Sequence, residues 1–171
     1  MIKNIYSLGL SILVLLLSTN SYAVSLIVES TAFQKGGTIP VQYTCKGADL
    51  SPPIRWLDGT KRAKSYVVMM NDMDAPSGKD LHWLLFNIPE RISELQQGAT
   101  IPKGAVSGTN SFQKTGYKGP CPESGTHHYL FRVWALDTEL ELDETATQGD
   151  VMKAMEGHMV ANNQLMGIYS H

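Results

Sequence analysis

The chain has 171 residues, with 14 Lys and Arg against 16 Asp and Glu, a formal net charge of −2. Charge so nearly balanced offers no basic footprint and excludes the nucleic-acid-binding class. A length near the commonest single-domain size can bury a core without a metal or a dense disulfide framework.

Taken in chain order, residues 1–23 read as a cleavable signal peptide. Lys3 gives the positive n-region, Leu8 to Leu17 the apolar h-region, and Ser21-Tyr22-Ala23 the small residues ahead of the cut. The apolar core of about 10 residues is too short for a span of ~20, and no basic cluster follows it as a stop-transfer signal. Residues 24–171 are then one domain in the periplasm or outside the cell, with no stable membrane span after cleavage.

The apolar runs that follow are short, β-branched or aromatic, and punctuated by Gly, Pro, Asp and Ser, the spacing of a sandwich or barrel. Expected strands are Ser25–Ser30, Thr38–Thr44, Ile54–Trp56, Ser65–Asn71, His82–Ile88 and His127–Leu136. Tyr66 to Met70 and Trp83 to Phe86 are apolar on both faces, which suits central strands. From Gln96 to Thr126 six Gly and three Pro interrupt any periodicity, so this stretch reads as a long ordered loop against a site. Thr147-Gln148-Gly149-Asp150 has capping-box spacing and opens a helix over Gln148–His158, with Val151, Met152, Met155 and Met159 as its core stripe. Leu165–Tyr169 closes the fold as a short strand.

Cys45 and Cys121 are the two cysteines. An even number in an oxidising compartment suggests one bridge; two free buried thiols or a reactive Cys121 are the alternatives. Three polar clusters stand out against the β pattern. Asp72 and Asp74 share one face of an extended chain, and such a pair can bind a cation, act as acid and base, orient histidines, or simply mark the turn at Ala75-Pro76. An EF-hand is excluded by Pro76 and Ser77 where oxygen ligands are needed. His82-Trp83 opens a buried strand, where a histidine serves either as a satisfied core residue or as a ligand. In His127-His128-Tyr129-Leu130-Phe131, alternation sends His127 and Tyr129 inward with Phe131 and Val133, and His128 to the other face. The two adjacent histidines therefore cannot chelate one metal, and no metal or cofactor is expected. Serine-hydrolase, zincin and P-loop motifs are absent.

Asp72-x-Asp74-x-Pro76, His82-Trp83, Gly116-Tyr117-x-Gly119-Pro120-Cys121-Pro122 and His127-x-Tyr129-x-Phe131 occur in that order. Together with Tyr43-Thr44-Cys45-x-Gly47, Ser51-Pro52-Pro53-x-x-Trp56 and Ala154 to His158, this set resembles the phosphatidylethanolamine-binding protein family, in its bacterial Raf-kinase-inhibitor-like branch. The resemblance implies a mainly β fold, a Greek-key antiparallel β-sandwich with a short C-terminal helix and an anion pocket at one end. It implies a pocket lined by Asp72, His82, Gly119, Pro120, His127 and Tyr129, with Asp74 and Trp83 in support, and a cis Ala75–Pro76 bond. The expected ligand is phosphate, a phospholipid head group or a carboxylate, with Gly119 as a backbone donor. Glu123 departs from the pattern near the mouth and would disfavour multiply charged anions if it points inward. The chain also lacks the C-terminal extension of eukaryotic members. The expected function is an exported anion-binding protein and not an enzyme; the alternatives are an exported inhibitor or modulator of a protease or other protein partner, and a His/Asp hydrolase.

Overall fold

The computed structural model describes residues 26–171, so the signal peptide assigned to residues 1–23 lies outside the described residues. The elements are β1 (Ile27–Glu29), a 3-10 turn (Val41–Tyr43), β2 (Ile54–Leu57), β3 (Ser65–Asp72), β4 (Asp80–Pro89), β5 (Glu94–Leu95), β6 (Val106–Ser107), β7 (Thr126–Leu136), α1 (Gln148–Ala154) and β8 (Met159–Ser170). They build a three-stranded sheet ordered β1-β2-β5 and a five-stranded sheet ordered β6-β4-β3-β7-β8. The strand pairings within both sheets are antiparallel. Among the described residues no helix is long and apolar enough to cross a membrane.

β3 is the middle strand of the larger sheet, and all eight of its residues are buried. Its alternate side chains feed two cores. Tyr66, Val68 and Met70 join Trp83, Leu85, Phe131 and Val133 against Leu26, Val28, Ile54, Trp56 and Leu95 of the small-sheet side. Val67 and Met69 join Leu84, Phe86, Trp134 and Leu136 beneath Val151 and Met155 of the helical segment. A strand covered on both faces needs a continuous apolar run, which is why Tyr66 to Met70 carries no polar residue.

The structure corrects several local expectations. Thr38–Thr44 is not a strand: Thr38 makes one isolated parallel bridge to Ile168, and Val41–Tyr43 coils into the 3-10 turn. Pro40, at φ −59°, has no N–H for a ladder, and its carbonyl accepts instead from Tyr43 N. The helix ends at Ala154, not His158, because Gly157 turns the chain at φ +81°. Val151 and Met155 are buried, whereas Met152 is exposed and Met159 belongs to β8. The closing strand extends far beyond Leu165–Tyr169, since β7 supplies a ladder along Met159–Ser170 that the polar Asn162-Asn163-Gln164 does not advertise. No cis peptide bond occurs among the described residues, so Ala75–Pro76 is trans; Gly78 N donates to the Ala75 carbonyl to close that turn.

Candidate functional site

Antiparallel pairing gathers the polar clusters. The C-terminal end of β3 lies between the N-terminal ends of β4 and β7, with Asp72 opposite Asp80 on one side and Tyr129 on the other. Between Met70↔Trp83 and Asn71↔Leu81 the register slips, leaving His82 as the extra residue of a bulge. Such a bulge re-aims a side chain that strict alternation would send elsewhere. A cavity of about 230 Å³ opens there, and Asp72, His82 and His127 all line it.

Each aspartate of the Asp-x-Asp pair holds one histidine. His127 Nδ1–H donates to Asp72 Oδ2 at 2.7 Å, while Asp72 Oδ1 accepts from Asp74 N at 2.9 Å. Asp74 Oδ2 accepts from both the backbone N and Nδ1 of His128, each at 2.7 Å. Those two bonds hold the Asp74 carboxyl below the usual aspartate range. Asp74 thus fixes the start of β7 from the outer face, where His128 is exposed.

His82 is buried, and its Nδ1–H donates to the Lys118 carbonyl at 2.7 Å. Burial lowers its pKa from the ordinary imidazole value, outweighing the Lys118 carbonyl and the Asp72 and Asp80 carboxylates, which act the other way. In His82 and His127 alike, Nε2 is then the ring nitrogen without a partner among the described residues. Tyr129 packs edge-on to His82, with ring centroids 5.5 Å apart, and is stacked near His127 at 6.4 Å. Among the described residues its fully buried hydroxyl makes no hydrogen bond of good geometry, although Asp72 and the Cys121 backbone lie near it. Burial first, and the Asp72 charge second, push that hydroxyl well above its ordinary pKa, so it stays protonated.

A family profile described as phosphatidylethanolamine-binding protein matches residues 29–170. The chain belongs to the phosphatidylethanolamine-binding protein family. It is 42% identical over 146 residues to a UPF0098 protein of Methanothermobacter thermautotrophicus, an alignment covering 83% of this chain and 97% of that one. A UPF0098 protein of Chlamydia trachomatis is 39% identical over 147 residues, with 83% and 97% covered. Among solved structures, a phosphatidylethanolamine-binding protein homolog from Chlamydia trachomatis superposes with a TM-score of 0.82 at 37% identity, covering 86% of this chain and 98% of that one. Escherichia coli YbcL, described as a new member of the mammalian PEBP family, gives 0.80 at 29% identity, covering 86% and 99%.

This family member builds the far wall of its cavity from the Gly-rich loop. Lys118 N donates to the His82 carbonyl, and Ser111 is bonded to Leu81 through both its backbone N and its Oγ. Asn110 organises the turn between them: its Oδ1 accepts from Phe112 N and Lys114 N, and its Nδ2 donates to the Gly116 carbonyl. Phe112 is thereby set edge-on to His82 at 5.0 Å. The Cys45–Cys121 disulfide ties the loop to the 3-10 turn, with the two Cα atoms 5.4 Å apart. Cys45 N donates to the Pro120 carbonyl, and His171 bonds the carbonyls of Pro122 and Gly125.

Gly119 and Pro120 stand behind this wall instead of lining the cavity, and Tyr129, also expected in the lining, is buried behind His82 and His127 and does not reach it. The Gly119 N–H donates to Asp49 Oδ1 at 2.7 Å, so it is not free for an anion. A Cβ at position 119 would lie 2.5 Å from both Asp49 Oδ1 and the Tyr43 carbonyl, which is why this position is glycine. Trp83 supports from below, edge-on to Tyr117 at 5.6 Å, and Tyr117 Oη donates to the Tyr43 carbonyl at 2.7 Å. Phe112, Lys118, Asp80 and Ser124 also line the cavity, and the sequence reading did not single them out. Their signal was the loop itself, ordered despite lacking periodicity.

Proposed function

We propose that this protein is an exported binding protein that takes a small oxyanion: a phosphate, a phosphoryl head group or a carboxylate. The observation that carries this reading is the pair of histidines lining the cavity, His82 and His127, each fixed through Nδ1 with Nε2 left open. Export is supported by the charge and hydropathy pattern of residues 1–23 and by the Cys45–Cys121 bridge, which suits an oxidising compartment.

Titration calorimetry with inorganic phosphate and with phosphoethanolamine tests the site, the second probe being chosen because the family is named for that head group. Saturable binding is expected for the wild type and a large loss for His127→Ala. No saturable binding of either probe rejects the reading. A parallel screen of phosphate and acyl esters is expected to show no turnover, since the role is binding.

A further inference from the structure

Tautomers and charge around the cavity specify its ligand more narrowly than "small anion". The Lys118 carbonyl can only accept, so the His82 hydrogen must sit on Nδ1, and the neutral ring presents a lone pair at Nε2. His127 likewise commits Nδ1–H to Asp72, which leaves Nε2 as its nitrogen facing a ligand. Asp72, Asp80 and Glu123 also line the cavity, against one lysine, Lys118, whose ammonium lies 3.6 Å from the Asp49 carboxylate. A ligand made only of acceptors therefore meets the His82 lone pair and an acidic lining. Multiple negative charge there is repelled, and an acceptor placed against a bare imidazole nitrogen leaves both groups desolvated and unpaired.

We infer that the site selects a singly charged oxyanion that brings its own hydrogen-bond donor, a phosphate or phosphonate retaining at least one P–OH, which donates to His82 Nε2 at the cavity wall. This rests on the oxyanion-binding reading and sharpens it, because it disfavours simple carboxylates and sulfate. Buried His82 stays neutral, in keeping with the downward direction of its pKa. The titratable and charged groups facing it are Asp72 from β3, Asp80 from β4, Tyr129 and His127 from β7, and Lys118 from the loop.

Two pairs of isosteric probes separate proton from charge. At about pH 6.5, near the ordinary imidazole pKa, calorimetry of the wild-type protein with inorganic phosphate and sulfate compares a protonated monoanion with a bare dianion. Methylphosphonate against methanesulfonate compares two monoanions that differ in the P–OH. Phosphate and methylphosphonate are expected to bind at least about tenfold more tightly than their sulfur counterparts, the low end of the cost of leaving one buried polar group unpaired. Sulfate binding as tightly as phosphate overturns the inference while leaving the oxyanion site standing. Methanesulfonate matching methylphosphonate overturns it too, since charge alone would then decide. If none of the four binds, the oxyanion reading itself fails. In His82→Gln, whose amide can donate as well as accept, the gap between the paired probes is expected to narrow; an unchanged gap in a variant with the wild-type melting profile overturns the role of His82.

Discussion

Asp72 Oδ2 and His127 Nδ1 lie 2.7 Å apart at the end of the central strand, with the carboxylate almost entirely buried. Neither side chain is required by the β pattern, and each explains the other. The carboxylate fixes the ring so that Nε2 is the nitrogen left for a ligand, and the ring supplies the hydrogen bond that makes a buried carboxylate tolerable. The same Asp72 anchors the turn through Asp74 N.

Replacing Asp72 by Asn keeps the shape but removes the charge that pairs with the ring. A hydrogen bond to a charged group contributes about 1.5–3 kcal/mol, so phosphate affinity is expected to fall about tenfold or more in calorimetry. The loss in Asp72→Asn combined with His127→Ala should be clearly less than the sum of the single losses, as expected of two groups acting as a unit.

Acidification should destabilise the fold through His82. Its folded pKa lies below the unfolded value of about 6.5, so the unfolded chain takes up the proton first as pH falls. Stability is therefore complete above that value and is lost between it and the lower folded pKa. Asp74, depressed by His128, adds a loss at still lower pH, below the unfolded carboxylate range. Melting temperature followed by circular dichroism from neutral to mildly acidic buffer should fall, and His82→Phe, if it folds, should flatten the first part of that fall.

Gly119→Ala should be destabilising without touching the cavity lining. The added methyl meets Asp49 Oδ1, the Tyr43 carbonyl and Thr44 Cα, two of them backbone. Overpacking of this kind costs about 1–3 kcal/mol, which urea unfolding would read as a lower midpoint at unchanged slope.

Removing the Cys45–Cys121 bridge in the double Ser variant releases residues 76 apart in sequence. The chain-entropy relation gives about 4 kcal/mol for a loop of this length. The expected result is a lower unfolding midpoint together with weaker phosphate binding, because the freed segment includes Cys121, Pro122, Glu123 and Ser124 of the cavity wall.

Thr147→Ala tests the helix start. Thr147 Oγ1 accepts from Asp150 N while the Asp150 carboxylate accepts from Thr147 N. Losing the cap costs about 1 kcal/mol, and the helical segment covers Val67 and Met69, so the loss should appear in global unfolding and not only in local fraying.

Local chemistry made much of this legible beforehand. The two-sided apolar run at Tyr66 to Met70 marks a central strand because only burial on both faces allows it. Alternation along His127 to Val133 separates inward His127 and Tyr129 from outward His128, and the structure pairs each histidine with its own aspartate. The capping box at Thr147 declares a helix start. Where side-chain pattern yields to partner geometry the reading fails. Asn162 to Gln164 carries no strand signal, yet it forms a ladder because β7 lies beside it. Pro40 and the close approach at Gly47 turn an apparent strand into a coil.

Sequence by itself determined the β character, the composition of the core, the pairing of the two cysteines as one option, and the residue types able to hold an oxyanion, since these depend on period, burial preference and functional groups. Tertiary structure alone decided which nitrogen each histidine leaves free, that the Gly119 amide belongs to Asp49, and that Phe112 and Lys118 complete the wall. Those outcomes turn on a one-residue bulge at His82 and on contacts between segments far apart in the chain. A hydrogen bond is directional and short, and no pattern along the sequence fixes which distant partner it will find.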